Sequence, residues 1–261
     1  MGKVFVFVNQ KGGVGKTTSA INLGAYIALT GKKVLLVDFD SQGNMSSGVG
    51  VSKDKPTIYE VIIGMVEPDN PIAATTESAI KHSKIENLDV ISASINLSGA
   101  SIELVSVENC DFLLKKALES VRDKYDYILI DCPPSLGILT MNGLAAADAV
   151  LVPMQCEYFA LEGITLLLQT VKKVQQGINK NLILGGIFFT MYDSRTRLCN
   201  QVVEEVRQHF QDMVFKTLIL RNVRLSEAPS YGKPVIQYDA NSNGAVNYLN
   251  LAKELLENNK A

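Results

Sequence analysis

The sequence predicts an α/β fold in which helices cover both faces of a mostly parallel, twisted β-sheet. Apolar runs of strand length recur along the chain, and segments with helical periodicity separate them. Strands and helices that alternate at this interval form right-handed crossover units, and such units build a parallel sheet between two layers of helices. Because α/β units of this size commonly share one core, we expect the 261 residues to form a single domain, residues 1–261.

A glycine-rich loop is predicted between the first strand and the first helix. An apolar run over residues 4–8 precedes the sequence KGGVGKTT at residues 11–18, and a helical segment follows that ends near Gly31. Three glycines let the backbone turn so that successive N–H groups point toward one anion, and the helix N-terminus adds further donors. A phosphate group is the natural ligand. The sequence therefore predicts a P-loop NTPase.

The side chains of this loop indicate a nucleoside triphosphate with Mg²⁺. We expect Lys16 to reach the β- and γ-phosphates, the Thr17 hydroxyl to coordinate Mg²⁺, and Thr18 to donate near the α-phosphate. The predicted phosphate-binding residues are Lys11, Gly12, Gly13, Val14, Gly15, Lys16, Thr17 and Thr18.

Aspartates at the ends of predicted strands supply the rest of the site. The apolar run at residues 33–40 carries Asp38 and Asp40, whose side chains project to the same side of a strand. Ligands of open α/β sheets bind at the carboxyl ends of strands, so both carboxylates are expected to face the phosphates. One of them would order waters of Mg²⁺, and the other would orient the attacking water. Asp131 ends another buried run and is predicted to hold Mg²⁺ as a Walker B carboxylate.

The remaining elements are predicted from apolar patterns. Residues 41–50 are rich in small and turn-forming side chains, which indicates a switch loop. The other predictions are helices over 57–63, 98–124 and 141–147, strands over 88–91, 149–153 and 182–190, and a helix with Leu161, Ile164, Leu168 and Val171 on its inner face.

Composition and charge argue against several classes of protein. The net charge of −2 provides no overall attraction for nucleic acid, so DNA contacts would need a local basic patch. The four cysteines lack metal-ligand spacing, and His82 and His209 are predicted to be surface residues without a metal role. The chain starts without a leader pattern, and no apolar run approaches the ~20 residues that span a bilayer. We expect a cytoplasmic protein.

The loop sequence also carries a family resemblance. Gln10 stands where the usual phosphate loop has glycine, and the additional Lys11 gives a form that resembles the deviant Walker A motif of the ParA/MinD family of ATPases. The sequence DFDSQGN at residues 38–44 and the segments 155–163 and 221–234 are similar to chromosomal ParA (Soj) proteins. Within the first of these, Ser41 replaces a proline that is usual in the family, which removes a fixed φ angle and loosens the segment.

The resemblance implies an ATPase that drives chromosome or plasmid segregation. ATP with Mg²⁺ would form a homodimer in which Lys11 of each subunit reaches the nucleotide of the other. This dimer would bind double-stranded DNA without sequence preference, which would place it on the nucleoid in the cytoplasm. A DNA-bound ParB-type partner would stimulate a slow intrinsic hydrolysis and so release the dimer. The resemblance makes Lys11, Lys16 and Asp40 the catalytic residues, and Thr17, Asp40 and Asp131 the metal site.

The same resemblance places the base and DNA contacts late in the chain. Asn222 would flank the adenine, next to Leu220, which replaces another family proline. Arg195 and Arg224 would bind DNA. Arg221 lies in the same predicted loop as Arg224, residues 220–224, and is predicted to bind DNA as well. Residues 195–233 carry seven basic against four acidic side chains, a balance of +3 in a chain of net charge −2. Phosphate contacts of this kind suffice for sequence-independent binding.

Three alternatives remain open from the residues. A MinD-like membrane-associated regulator would need a basic amphipathic terminal helix, whereas residues 252–261 are charge-balanced. A metal-cluster carrier of the same superfamily would need suitably placed cysteines. A nucleotide-binding DNA scaffold would hydrolyse little, but the presence of Asp38, Asp40 and Asp131 argues against a loss of catalysis.

Overall fold

A single eight-stranded sheet organises the computed structural model, which describes residues 1–259, the side chain of Ser101 excepted. The strand order is β3-β4-β2-β5-β1-β6-β7-β8; β3 is antiparallel to β4 and every other neighbouring pair is parallel. The predicted α/β fold with a mostly parallel sheet is confirmed. The strands are β1 (Lys3–Phe7), β2 (Val34–Asp38), β3 (Ile80–His82), β4 (Leu88–Ile91), β5 (Tyr127–Asp131), β6 (Ala149–Gln155), β7 (Ile183–Tyr192) and β8 (Val214–Leu220).

Helices cover both faces of this sheet. The helices are α1 (Lys16–Ala28), α2 (Asn44–Gly48), α3 (Ile58–Val66), α4 (Thr76–Ala79), α5 (Leu97–Glu103), α6 (Leu113–Glu119), α7 (Ile138–Ala146), α8 (Ala160–Gly177), α9 (Arg197–Phe210), α10 (Val223–Glu227), α11 (Val235–Tyr238) and α12 (Asn243–Asn258). Helices α1 and α12 pack on one face, while α3, α6, α7, α8 and α9 pack on the other.

The central strand β1 contributes to both cores. Val4 and Val6 belong to the core on one face, and Phe5 and Phe7 belong to the core on the other. Successive side chains of a strand point to opposite faces, so a strand that is covered on both sides must be apolar at every position. This is why the central strands appear in the sequence as continuous apolar runs.

Two predicted elements differ in the structure. The helix predicted over 98–124 is broken into α5 and α6 with irregular turns around them, and Asn109, with a left-handed φ of 58°, lies in the break. The periodic residues themselves are buried as predicted: Leu114, Ala117, Leu118 and Val121. The predicted switch loop at residues 41–50 contains a short helix, α2.

The C-terminal part of the chain is tied to α1. Ser19 and Tyr248 share a buried hydrogen bond of 2.9 Å between their hydroxyl groups. The Tyr26 hydroxyl donates to the backbone oxygen of Ala245 at 2.7 Å. These bonds fix α12 against the helix that follows the glycine-rich loop.

We infer one domain, because the eight strands share one sheet. The prediction was made for residues 1–261, of which residues 260 and 261 lie outside the described part. Within residues 1–259, none of the helices combines the length and the apolar character needed to cross a bilayer. His82 and His209 are exposed, as predicted.

Candidate nucleotide-binding site

The glycine-rich loop connects β1 to α1 at the carboxyl edge of the sheet. Gly13 and Gly15 adopt left-handed backbone conformations, with φ angles of 74° and 85°. Gly15 is also the residue that precedes the first turn of α1. Residues with side chains are strained at such angles, so the glycines permit the turn. The loop and the free N–H groups of α1 form a concave set of donors suited to phosphate.

Lys16 lies inside this loop. Its side chain is 6% exposed, and Nζ donates to the backbone oxygens of Asn9 at 3.1 Å and Lys11 at 3.3 Å. Burial lowers the pKa of Lys16, and the nearby Asp131 carboxylate partly opposes that effect. A buried ammonium group that is held by backbone oxygens is a suitable counter-charge for a phosphate.

Thr17 and two aspartates meet beside Lys16. Asp38 and Asp131 end the neighbouring strands β2 and β5 and are paired in register. The Thr17 hydroxyl donates to Oδ2 of Asp131 at 2.6 Å. Oδ2 of Asp38 accepts from the Ser46 backbone N–H at 2.8 Å and from its hydroxyl at 2.6 Å. The structure thus joins Thr17 to Asp131, whereas Asp38 is held by α2.

The two buried carboxyl groups have raised pKa values. Burial and the neighbouring charge of Asp38 raise the pKa of Asp131 to about 8. Burial raises the pKa of Asp38 to about 6, against the opposing effect of the hydrogen bonds from Ser46. Among the described residues, Oδ1 of each aspartate is buried without a hydrogen-bond partner. Such groups fit a cation that would compensate their negative charge.

The donor set fits Mg²⁺ in particular. Across residues 1–259, no three His, Cys, Asp or Glu side chains form a metal cage. Mg²⁺ is usually held by one or two protein oxygen ligands together with substrate phosphates and water, rather than by such a cage. The Thr17 hydroxyl and the Asp131 carboxylate provide ligands of this type.

The sequence predicts Asp40 within a strand, but in the structure Asp40 lies beyond the end of β2. Its side chain is half-buried, and Oδ1 accepts from the backbone N–H of Gln42 at 3.0 Å. The strand predicted to continue to Asp40 therefore ends at Asp38, and strand alternation does not determine the direction of the Asp40 side chain. The proposed role of Asp40 in positioning water remains a prediction.

Lys11 points away from the carboxylate cluster. Its Nζ contacts Oε2 of Glu157, and the two side chains are 55% and 46% exposed. Next to this ion pair, Tyr158 and Phe159 are 81% and 70% exposed. Lys11 is thus a surface cation beside exposed aromatic side chains, whereas Lys16 is an interior one.

A cavity of about 310 Å³ adjoins the start of α1. Its lining includes Gly15, Thr18, Thr190, Leu220, Asn222 and Tyr248. Asn222 caps α10, because Oδ1 accepts from the backbone N–H of Arg224 at 2.9 Å. Leu220 donates its backbone N–H to Oδ1 of Asn247 at 3.1 Å, a bond that a proline at this position could not make. The structure therefore brings Asn222 and Thr18 to one cavity beside the phosphate loop.

Two of the predicted DNA-binding arginines lie together. Arg195 and Arg221 line a second cavity of about 390 Å³. Arg195 is exposed and pairs with Asp193 at 2.7 Å. Hydrogen bonds from Arg195 lower the pKa of that carboxyl group to about 2, with a smaller effect from Arg221.

Arg224 is placed differently. Its guanidinium pairs with Glu227 at 2.8 Å and with Asp239 at 3.3 Å, and it does not line the cavity of Arg195 and Arg221. Two carboxylates therefore compensate the charge of Arg224 within the chain. Arg195 has one such partner, Asp193, so Arg224 differs from it in having two carboxylate partners and in its position outside that cavity.

Sequence reasoning did not assign roles to Gln155 and Thr190. Gln155 ends β6, and Thr190 lies near the carboxyl end of β7. Both donate to the phosphate loop, from Nε2 of Gln155 to the Gly13 oxygen and from Oγ1 of Thr190 to the Val14 oxygen. The signal was available, since both are polar residues at or near the carboxyl ends of strands, the position that pointed to Asp131.

Comparison with known proteins identifies the family. A family model described as an AAA domain matches residues 2–184. The chain is 60% identical over 256 residues to the chromosome-partitioning ATPase Soj of Treponema pallidum, with 98% of each protein covered. It is 54% identical over 260 residues to the sporulation initiation inhibitor protein Soj of Bacillus subtilis, covering 99% of this chain and 100% of that protein.

The chain is also similar to a solved structure over its whole length. Cobyrinic acid a,c-diamide synthase from Mycobacterium smegmatis, with a bound ATP analog and magnesium, has a TM-score of 0.84 at 35% identity, covering 100% of this chain and 97% of that one. The phosphate-binding features of the glycine-rich loop are consistent with the similarity to ATPases over the full chain. The chain therefore belongs to the matched AAA-domain family and, within it, to the Soj/ParA family of chromosome-partitioning ATPases.

Proposed function

We propose that the chain is an ATP-driven switch for DNA partition. In this proposal, ATP joins two subunits, the dimer binds DNA without sequence preference, and a DNA-bound ParB-type partner accelerates hydrolysis and release. The observation that carries the proposal is the convergence of Lys16, Thr17 and Asp131 at one loop, with Lys11 held separately at the surface.

The nucleotide would lie along the loop and in the adjoining cavity. Lys16 provides an interior positive charge for the phosphates, while Thr18 and Asn222 line the cavity that we propose for the base. Thr17 and Asp131 would hold Mg²⁺, which supplies positive charge to the phosphate oxygens when it is bound. Asp40 would orient the attacking water. Turnover is proposed to be slow, since the additional cation is Lys11 rather than an arginine.

Lys11 is available for a second subunit. The ion pair between Lys11 and Glu157 is half-exposed, and such pairs contribute roughly 0–1 kcal/mol. Lys11 can therefore leave Glu157 at a small cost and reach the nucleotide of a partner. The exposed Tyr158 and Phe159 provide apolar area next to it. These features support a dimer face around the phosphate loop.

Arg195 and Arg221 are proposed to contact DNA phosphates. Arg195 lies in the loop after β7, and Arg221 directly follows β8, so both lie near the carboxyl ends of neighbouring strands. A dimer would present two copies of this pair. Because phosphate contacts release condensed counterions, doubling their number strengthens binding steeply at low salt. ATP-dependent dimerisation would thus control DNA binding, and location on the nucleoid follows from the proposal.

The burial of α12 argues against a MinD-like membrane anchor at the C-terminal helix. The apolar residues Tyr248, Leu251 and Leu255 of α12 are buried against the sheet and α1. An interfacial helix needs its apolar face free for lipid. Liposome flotation in the presence of ATP tests this alternative directly, and we expect no ATP-dependent flotation.

The test of the proposal is sedimentation of the full chain with ATP and Mg²⁺, with ADP, and without nucleotide. Of these three conditions, we expect the wild-type protein to form dimers only with ATP and Mg²⁺. We expect Lys11→Ala to remain monomeric in all three. We expect Lys11→Ala to retain ATP, since the phosphate loop keeps Lys16, whereas Lys16→Ala is expected to lose ATP binding. ATP-dependent dimers of Lys11→Ala would contradict the cross-subunit role of Lys11.

A further inference from the structure

We infer that Gln155 and Thr190 are positioning residues that fix the direction of two backbone N–H groups in the phosphate loop. Nε2 of Gln155 donates to the backbone oxygen of Gly13 at 2.8 Å. Oγ1 of Thr190 donates to the backbone oxygen of Val14 at 2.8 Å. Two consecutive carbonyl groups of the loop are thus held from outside the loop by side chains.

The geometry of the peptide bond gives these contacts their consequence. In a trans peptide the C=O and the following N–H lie in one plane and point in opposite directions. Holding the Gly13 oxygen therefore turns the Val14 N–H to the other side of the chain. Holding the Val14 oxygen does the same for the Gly15 N–H. Both donors are directed away from Gln155 and Thr190, toward the concave side of the loop.

Without such contacts these peptide groups would be free to rotate. Gly13 and Gly15 have φ angles of 74° and 85°, and glycine visits positive and negative φ angles with similar ease. A loop that must present N–H groups to an anion is effective when the donors are oriented before the ligand binds. The glycines permit the turn, and Gln155 and Thr190 select one orientation of its peptide groups.

The sheet places the two side chains for this task. Gln155 and Thr190 are direct partners in the register between the parallel strands β6 and β7. Thr190 is buried, and its hydroxyl also lies 3.2 Å from the backbone oxygen of Met154. Paired residues of two neighbouring strands therefore supply donors to neighbouring carbonyl groups, and strands are more rigid supports than loops.

This inference rests on the proposed nucleotide site and predicts a specific loss. Gln155→Leu removes the donor while keeping the size of the side chain similar, and Thr190→Val does so with even smaller change. In each variant a loop N–H group is no longer held in the direction of the phosphates, so its hydrogen bond to a charged phosphate is weakened. Each variant is therefore expected to bind ADP and ATP roughly 10-fold more weakly. Adenosine, which has no phosphate, is expected to bind Gln155→Leu as it binds the wild-type protein, because Gln155 does not line the cavity proposed for the base.

Matched controls are present elsewhere in the fold. Nε2 of Gln175 donates to the Leu182 oxygen at 2.7 Å, and Oγ1 of the buried Thr76 donates to the Ala117 oxygen at 2.6 Å. Gln175→Leu and Thr76→Val lose the same kind of bond, away from the loop. They are expected to bind ADP and ATP as the wild-type protein does. Thr190→Ser, which keeps the hydroxyl, is expected to restore binding.

The experiment is isothermal titration of the full chain and these variants with ATP, ADP and adenosine, together with thermal unfolding without ligand. Loss confined to the phosphate-bearing ligands, with unfolding temperatures that match those of the controls, would support the inference. Unchanged ADP and ATP affinity in Gln155→Leu, or an equal loss for adenosine, would overturn it. Failure of the wild-type protein itself to bind ATP would instead contradict the proposed function.

Discussion

Asp38 and Asp131 lie side by side at the carboxyl ends of adjacent parallel strands, as direct partners in the register of β2 and β5. Both are buried, and each has one carboxylate oxygen without a hydrogen-bond partner among the described residues. Two carboxyl groups so placed repel each other when both are ionised, and a bound cation relieves that repulsion. The pair therefore links the stability of the fold to metal binding and to pH.

Metal-free protein is expected to lose stability as the pH rises. The pKa of Asp131 is raised to about 8 from its usual value of 3.8, so the folded state binds this proton more tightly than the unfolded state. Unfolding free energy then falls with pH between these two values, by at most about 1.4 kcal/mol per pH unit. Thermal unfolding in EDTA from pH 5 to pH 8 measures the effect.

Asp131→Asn is the control for that measurement, because the amide does not titrate. The unfolding temperature of Asp131→Asn is expected to vary less with pH than that of the wild-type protein. The difference between the two unfolding temperatures is expected to shift in favour of Asp131→Asn as the pH rises toward 8. Parallel pH profiles for the two proteins would contradict the assignment. Addition of Mg²⁺ with ATP is expected to stabilise the wild-type protein more than Asp131→Asn at pH 8.

Glu157→Gln is expected to promote ATP-dependent dimers. The substitution removes the ion pair with Lys11 while keeping the size of the side chain, so Lys11 no longer has to leave a partner. Half-exposed ion pairs are worth roughly 0–1 kcal/mol each and a dimer contains two of them, so the dimer dissociation constant is expected to fall by up to about 30-fold. Sedimentation at several protein concentrations measures it, and Glu162→Gln, an exposed change on α8, is the control. Weaker dimerisation of Glu157→Gln would indicate that Glu157 contacts the second subunit.

The arginines are expected to differ in DNA binding. Arg195→Ala or Arg221→Ala would remove one phosphate contact per subunit, or two per dimer, so the slope of log affinity against log salt is expected to decrease by about 1.8. Arg224→Ala is expected to change the slope less, because two carboxylates, Glu227 and Asp239, pair with this side chain, whereas Arg195 has the single partner Asp193. DNA binding in a salt series with ATP distinguishes them. An equal decrease for Arg224→Ala would show that this ion pairing opens on DNA.

Tyr248→Phe is expected to lower the unfolding free energy by about 1–2 kcal/mol, because it leaves the buried Ser19 hydroxyl without its partner. Removing both hydroxyl groups is expected to cost less than the sum of the single changes. Chemical denaturation of Tyr248→Phe, Ser19→Ala and the double variant measures this coupling. Additive effects would show that the two hydroxyl groups do not depend on each other for stability.

Much of the fold could be predicted because its signals are local. The apolar runs of the central strands arise from burial on both faces, and the turn at Gly13 and Gly15 has a backbone requirement visible in the sequence. Asp131 was identifiable because it ends such a run. These features depend on neighbours in the chain, so a single sequence is sufficient to find them.

Other features depend on contacts between distant residues. The helix break at Asn109 was not predicted, since the apolar periodicity from Leu114 to Val121 resembles one continuous helix. The ion pair between Lys11 and Glu157 joins residues 146 positions apart, and no local pattern indicates it. Thr190 likewise acts on a carbonyl group 176 positions away. Such partners become visible only when the strand order is known.

The hydrogen bonds that tie α12 to α1 have a consequence for synthesis of the protein. The phosphate loop precedes Asn222 and Tyr248 in the chain, so it is translated before these two residues, which line the cavity proposed for the base. A nascent chain therefore contains the phosphate loop before it contains the residues that complete this cavity. The proposed nucleotide site is complete only after α12 has been translated.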